Sequence, residues 1–385
     1  MKILLLGEAS NLHWTLAEGL RTLGHDVTVA SGGSGWMNNR RNIDLQRNSY
    51  GLIGSLRYVF DVARYLPQFR NFDVVQLSNP VFLQLRPEKN RLVFDYLFRH
   101  NRKIFLDALG TDYFYVKACQ EKRFRYSDFY IGNRLREYPD SRETIKAWNS
   151  KPLKNLNRYI ADRCNGIAAC LYEYFISYEN DYREKLAYIP IPIQPQGETA
   201  PDTRWKNEEK IRFFIGIQRD RSRLKGTDIF DKVLREIERK YPRECEIKRV
   251  VSLPLEEYLS VMRSSHVLID QLYSYTPATN ALQAMSQKLS VVSGAEPEYY
   301  DFIGEKQLRP IFNALPDEQQ IYDLFERIIK EKNSLQQRCN DSRAFIEKHH
   351  DYIKVAGEYL DFWRNTDLTR QKHSNIYIAD RKSVV

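Results

Sequence analysis

Short continuous apolar runs alternate along the chain with longer stretches whose apolar positions recur every three to four residues. Runs at 2–6, 26–30, 73–77, 103–107, 166–170 and 187–191 have the length of buried strands. Between the first two, Leu12, Leu16, Leu20 and Leu23 fall at helical spacing, and Gly24 supplies a helix stop. Strand, helix and strand in that order predict a parallel sheet covered by helices on both faces. The periodicity lapses over 190–209, where four prolines and a glycine gather, so this stretch reads as a linker. The alternation then restarts, with strands at 211–217, 247–252, 267–272 and 289–293. Helices are expected over 227–240, 255–264, 278–287 and 317–332. The reading is α/β throughout: a first domain over 1–195 and a second over 196–350. Tyr352, Val355, Ala356, Tyr359, Leu360 and Trp363 form one apolar stripe on a last helix, 351–365, which needs a surface to cover. Residues 366–385 read as a polar tail.

Composition agrees with two globular domains. The chain has 385 residues, 42% of them apolar, against a prior of roughly 150 residues per domain. No apolar run approaches the ~18 residues of a membrane helix. The opening run Ile3, Leu4, Leu5, Leu6 is broken by Gly7 and Glu8, which argues against a signal peptide. Five scattered cysteines show neither zinc spacing nor a disulfide framework, which points to a reducing compartment. Residues 1–195 hold 28 basic and 20 acidic side chains, a net of +8; residues 196–385 hold 31 and 30, a net of +1. The first half therefore favours anionic partners, with membrane head groups, diphosphates and nucleic acid all qualifying on charge alone.

Candidate chemistry gathers in the turns that follow the strands. The first turn, Gly7, Glu8, Ala9, Ser10 and Asn11, lacks the G-x-G-x-x-G spacing, which argues against NAD and FAD. Ser10, Asn11 and His13 still lie where a crevice opens at the strand ends, although Ser10 or Asn11 serves equally as a helix cap. Gly216 to Asp228 carries Arg219, Arg221, Arg223 and Lys225 within seven residues, directly after a strand. Planar arginine forks and a lysine point charge suit a diphosphate, and a solvated charged loop is the plain alternative. After the strand ending near Asp270, Thr276 reads as an N-cap and Pro277 as the first helical residue, leaving backbone N–H groups for phosphate oxygens. Residues 113–148 interleave aromatics (Tyr113, Phe114, Tyr115, Phe124, Tyr126, Phe129) with Lys117, Lys122, Arg123, Arg125, Arg134 and Arg136. That pairing suits a lipid interface or acceptor stacking, or else a packed insertion with a charged outer face.

These stretches resemble the retaining, GT-B-fold nucleotide-sugar glycosyltransferases known as group 1 or family 4. The opening MKILLLGE with LGHDV at 23–27 is similar to that family's first strand and GHxV approach. The run DVVQLSNP at 73–80 is similar to its DVVHxHNP strand, and LGTD at 109–112 to its HGSD turn. Residues 188–190 (YIP) resemble the end of its first domain. Gly216, Arg219, Lys225 and Gly226 resemble its GR…KG motif, and QAM, VV and GAEPE over 283–298 its EAM…PVV…G…PE.

The resemblance implies a GT-B architecture: two Rossmann-like, doubly wound parallel-sheet domains facing each other across a cleft, with the C-terminal helix crossing back to the first. It implies transfer from a nucleotide-diphosphate sugar, without a metal or other cofactor, to a polysaccharide or lipid-linked glycan, with no nucleic-acid partner. By the same resemblance Arg219, Lys225 and Asp112 are catalytic. Gly216, Arg221, Tyr275, Ala278, Thr279, Asn280, Gln283 and Glu298 bind the donor, and Gly7, Ser10, Asn11 and His13 lie on the acceptor side. Fixed donors aimed at a departing diphosphate lower the barrier as its charge develops. Arg223 stands in reserve, because the arginine-to-lysine spacing is one residue longer than the family's, and Asp270 is a further polar candidate. The family's paired glutamates, eight positions apart, fall on Tyr275 and Gln283, and its HGSD histidine on Leu109. A non-catalytic GT-B scaffold in a polysaccharide assembly complex is the second reading, and nucleic-acid binding the third. The implied location is cytoplasmic, peripheral on the inner face of the plasma membrane, with 113–148 as the membrane- and acceptor-facing segment.

Overall fold

The computed structural model describes residues 1–33, 38–195, 204–205 and 210–366. The expected tail at 366–385, apart from Thr366, and most of the 190–209 linker lie outside them.

The first domain holds seven parallel strands: β1 (Lys2–Leu6), β2 (Asp26–Ser31), β3 (Ile43–Asp44), β4 (Val74–Leu77), β5 (Lys103–Ala108), β8 (Gly166–Ala169) and β9 (Leu186–Tyr188). Their order is β3-β2-β1-β4-β5-β8-β9. A two-stranded antiparallel ribbon, β6 (Tyr130–Ile131) with β7 (Arg134–Leu135), stands apart from that sheet. The second domain holds β10 (Ile211–Ile217), β11 (Cys245–Val251), β12 (Val267–Ile269), β13 (Ser290–Ser293) and β14 (Phe312–Asn313), all parallel in the order β11-β10-β12-β13-β14. The central strands are buried on both faces, which is why they read as unbroken apolar runs rather than as alternating ones. Strand order reverses between β1 and β4 in one sheet and between β10 and β12 in the other. At such reversals flanking connections leave on opposite faces, opening a crevice beyond the carboxyl ends.

The last helix, Tyr352–Asn365, packs on the first domain, against the helix Leu12–Thr22. Val355, Ala356, Tyr359, Leu360 and Trp363 enter one core cluster with Ile3, Leu5, Leu16, Leu20 and Phe105. Polar contacts fix the position of that stripe. The Tyr359 hydroxyl donates to Asp107 Oδ1 (2.9 Å), Trp363 Nε1 donates to Gln76 Oε1 (2.9 Å), and Lys103 Nζ donates to the Trp363 carbonyl (2.6 Å).

The chain crosses between the domains at adjacent points. Ile193 pairs with Asp351 as a parallel bridge, with Ile193 N donating to His350 O (2.7 Å) and Tyr352 N donating to Ile193 O (3.1 Å). The buried His350 donates through Nδ1 to Ile191 O (2.9 Å), while its Nε2 has no partner. Burial holds its pKa down to about 4. An unfolded histidine titrates near 6.5, so as pH falls from about 6.5 to 4 the unfolded chain binds a proton that the fold refuses. Stability therefore drops over that window, by about 3 kcal/mol at its lower end. Melting temperature should fall more steeply in the wild type than in His350→Gln between pH 7 and pH 4.5; parallel curves would absolve His350.

Candidate functional site

The carboxyl ends of the two sheets meet. Leu171 and Tyr172, just past β8, touch the loop after β12: Tyr172 N donates to Thr276 Oγ1 (3.2 Å). Glu173 anchors that loop from the first domain. Its carboxylate accepts from Tyr275 N (2.5 Å), Thr276 N (3.1 Å) and the Thr276 hydroxyl (2.5 Å). With its hydroxyl thus engaged, Thr276 does not cap a helix; the next helix, Thr279–Ser286, starts after Ala278. Leu12, Cys170 and Leu171 of the first domain share an apolar cluster with Ala281 and Leu282 of the second.

On the first-domain side, the Gly7 turn is dictated by space. Gly7 has φ +88°, and a Cβ there would lie 2.0 Å from Ser78 Oγ, on the strand end across the reversal. Ser10 and Asn11 both adopt positive φ, and neither is a side-chain cap of the Leu12–Thr22 helix. Glu8 takes that role, accepting from the N–H groups of Ala9, His13 and Trp14 (2.8–3.1 Å), and burial raises its pKa.

His13 corrects the sequence expectation. It is wholly buried, with Nδ1 2.7 Å from the Gly7 carbonyl and Nε2 2.9 Å from Asp107 Oδ2. A carbonyl only accepts, so Nδ1 carries a proton. Burial alone would lower its pKa, but the Asp107 hydrogen bond and the charges of Asp107 and Glu8 raise it overall. With both nitrogens engaged, His13 braces the turn and joins it, through Asp107 and Tyr359, to the last helix. Asp112 is likewise enclosed at 1% exposure. It caps the helix Tyr113–Gln120 through Tyr115 N (2.8 Å) and accepts from the Tyr178 hydroxyl (2.5 Å). Burial pushes its pKa up to about 6. A cap behind the cleft is its place here, not an open acid facing substrate.

On the second-domain side, Arg219, Arg221 and Arg223 are exposed and Lys225 half-buried, on a short 3-10 and α turn between β10 and Gly226. None of the four forms an ion pair with another described residue. Gly226, at φ +77°, closes that turn, and a Cβ there would sit 2.6 Å from Leu272 Cβ. Lys225 O accepts from Leu272 N (2.9 Å), so the cationic turn is tied to the strand end across the β10–β12 reversal. Behind it, the Tyr258 hydroxyl donates to Asn280 Oδ1 and Asn280 Nδ2 donates to Asp270 Oδ1, both at 2.9 Å. Asp270 Oδ2 is buried without a partner. Ala278, Thr279, Asn280 and Gln283 are half-buried at the start of the Thr279–Ser286 helix, and Gly216, one residue before the end of β10, lies against the Tyr258 ring.

Tyr275 and Glu298 are the other departures. Tyr275 is 3% exposed, its ring packed with Phe124, Tyr126 and Tyr172 at centroid distances of 5.7, 5.1 and 5.9 Å. Its hydroxyl accepts from Arg125 N (2.8 Å). It is built into the seam between the domains rather than offered to a ligand. Glu298 pairs with Arg125, whose hydrogen bond lowers its pKa, and Arg125 also reaches the buried Glu296 (2.7 Å), to which Tyr126 donates.

The carrier of these contacts is the segment that sequence reasoning read either as a lipid or acceptor interface or as a packed insertion. The 113–148 segment arches over the seam and packs its aromatics inward: Phe114, Tyr115, Phe124, Tyr126 and Phe129 are all buried. Several of its cations are engaged too. Arg123 pairs with Glu179 (2.6 Å) and Lys117 with Asp181 (2.9 Å). Arg136, buried, donates to the carbonyls of Arg223 (2.6 Å) and Leu224 (3.0 Å) and lies over the Tyr273 ring. The segment braces the cationic turn, with Tyr130, Tyr138 and Trp148 left half-buried. Only the density of aromatics was a signal for this, since the partners lie up to 173 residues away.

No family model and no curated protein match the chain. Solved structures do. HepE from Anabaena, in complex with UDP and glucose, has a TM-score of 0.60 at 12% identity, over 95% of this chain and 100% of its own. The sucrose-phosphate synthase of Thermosynechococcus elongatus has a TM-score of 0.61 at 11% identity, over 94% and 98%. WaaG, a glycosyltransferase involved in lipopolysaccharide biosynthesis, has a TM-score of 0.54 at 15% identity, over 95% and 100%. At such identities the likeness carries architecture alone: the chain has the GT-B fold, two parallel-sheet domains joined at their carboxyl ends and closed by a returning helix.

Proposed function

We propose that the chain is a glycosyltransferase that moves a hexose from a nucleotide diphosphate, with retention of configuration, to a polysaccharide or lipid-linked glycan. The observation that carries this reading is the set of four cations on the turn after β10, none of them ion-paired with another described residue. They stand at a strand-order reversal in a fold whose solved neighbours include HepE with UDP. Cations on a turn held by Gly226, Leu272 and Arg136 are preorganised for an anion, and a leaving diphosphate is the anion whose charge grows during transfer. Arg219 and Lys225 would hold the diphosphate, with Arg221 and Arg223 beside them and the N–H groups at Thr279 and Asn280 adding donors. Asn280, held by Asp270 and Tyr258, and Gln283 would receive the nucleoside. Gly7, Ser10 and Asn11 would border the acceptor. No metal enters the scheme, because the cations supply the neutralisation.

The second reading, a nucleotide-binding scaffold without turnover, is favoured by one observation: Tyr275 occupies a glutamate position and is sealed in the seam. A thermal-shift panel of UDP, GDP, ADP, CMP and TDP with their common sugar conjugates, followed by sugar-release assays on each stabilising donor, decides the matter. Stabilisation by a nucleoside diphosphate with release of its sugar supports transfer. Stabilisation with no turnover supports the scaffold, and silence across the panel removes the donor site.

A further inference from the structure

The helix Gly51–Tyr65 presents an apolar face that no described residue covers. Nine large hydrophobic residues are exposed among the described residues, and five of them fall within eleven positions: Tyr50, Leu52, Ile53, Leu56 and Phe60. At about 100° per residue, Leu52, Ala63, Leu56, Phe60 and Ile53 fill one arc of roughly 100°. Arg64 and Arg57 follow on its flank, and Gly54, Tyr58 and Val62 lie on the far side, where they are buried. This helix therefore has two apolar faces: one serves the core and the other points to water. Isolated exposed apolar residues are ordinary on a protein surface; a contiguous arc is not.

The charge around the arc is of one sign. Residues 40–70 contain Arg40, Arg41, Arg47, Arg57, Arg64 and Arg70 against Asp44 and Asp61, a net of 6 − 2 = +4. Arg41 is already paired with Asp44, whereas Arg57, Arg64 and Arg70 are exposed. Arg47 lies over the rings of Tyr50 and Tyr58 and reaches Ser55 Oγ (2.7 Å), which holds the helix entry in place.

We infer that this helix seats the protein on an anionic lipid surface, its Leu52, Ile53, Leu56 and Phe60 face sinking into the head-group boundary and its arginines meeting lipid phosphates. An interfacial helix needs this pairing of an apolar arc with arginine on its border. Charge complementarity chooses the bilayer over a second copy of the chain. A twofold contact through this face would set Arg57 and Arg64 beside their own copies, with only the half-buried Asp61 of the helix to offset them. The helix also lies beside the cleft. The Tyr58 hydroxyl accepts from Gln84 N, in the loop after β4 that carries Phe82 to within 3.1 Å of a Cβ built at Gly7. A lipid-borne molecule would thus arrive one loop away from the Gly7 turn.

The inference rests on exposure and charge rather than on sugar transfer, and its test reads binding, so the two stand or fall separately. The probe is co-sedimentation of the full chain with phosphatidylcholine vesicles, with and without phosphatidylglycerol. Expected is binding that requires phosphatidylglycerol, weakens with salt, and falls about tenfold or more both in Leu56→Glu/Phe60→Glu and in Arg57→Glu/Arg64→Glu. All four positions are exposed, so melting temperatures should match the wild type. No binding to either vesicle overturns the inference, as does binding that both double variants retain. A wild-type dimer in light scattering that Leu56→Glu/Phe60→Glu turns into a monomer would also overturn it, in favour of a second copy.

Discussion

Replacing Arg219 and Lys225 together by alanine should weaken nucleoside-diphosphate binding by about two to four orders of magnitude while far-UV circular dichroism stays unchanged. Each side chain offers charge-assisted hydrogen bonds to phosphate, about 1.5–3 kcal/mol apiece. Neither carries an ion pair with a described residue, and Asp128, which feels the charge of Lys225, keeps the larger influence of Arg136. The turn itself is held from elsewhere, by Gly226, by the Lys225 carbonyl on Leu272 N and by Arg136 on the carbonyls of Arg223 and Leu224. Calorimetric titration with the nucleotide that stabilises the wild type is the measurement. Unaltered affinity in the double variant would expel both residues from the site.

The second large effect belongs to the last helix. Trp363 is 1% exposed and donates to Gln76, itself completely buried, so Trp363→Ala opens a cavity and strands the Gln76 carbonyl oxygen. Truncations of this kind cost about 3–5 kcal/mol. Adding Tyr359→Ala removes the only hydroxyl that reaches Asp107 Oδ1 among the described residues. The double variant should melt well below the wild type and be cut faster by protease at 190–209, because the helix beside that crossing would no longer be anchored. An unchanged melting curve with an unchanged cleavage pattern would show that the returning helix does not hold the domains.

The sheets were legible because a strand buried on both faces has to be continuously apolar. The stripe from Tyr352 to Trp363 was legible because a helix with one wet face keeps a 3.6-residue period. The helix Gly51–Tyr65 was not among the expected elements: Leu52, Leu56, Phe60 and Ala63 do recur at helical spacing, but that stripe faces water while Gly54, Tyr58 and Val62 face the core. The cationic turn announced itself by composition and position, whereas its support did not. Arg125 with Glu296, and Arg136 with the Arg223 carbonyl, join residues 171 and 87 positions apart, and nothing local marks them. The Thr276-Pro277 pair misled for a definable reason, since a cap signal describes a hydroxyl with no better partner and Glu173 provides one. His13 and Asp112 misled in the same way: polar residues at a strand end face either the ligand or the scaffold, and the sequence does not state which.

The returning helix has a consequence for synthesis. The core under the first sheet contains Ile3 and Leu5 from the very start of the chain and Tyr359 and Trp363 from near residue 365. About 180 residues separate the end of β9 from the end of that helix, roughly 10–35 s of translation at about 5–20 residues per second. For all that time the nascent first domain has its strands but not its lid, with Asp107, Gln76 and an apolar face open to water. The first half of this protein is therefore the last to be finished, and its completion waits until the second domain has been made.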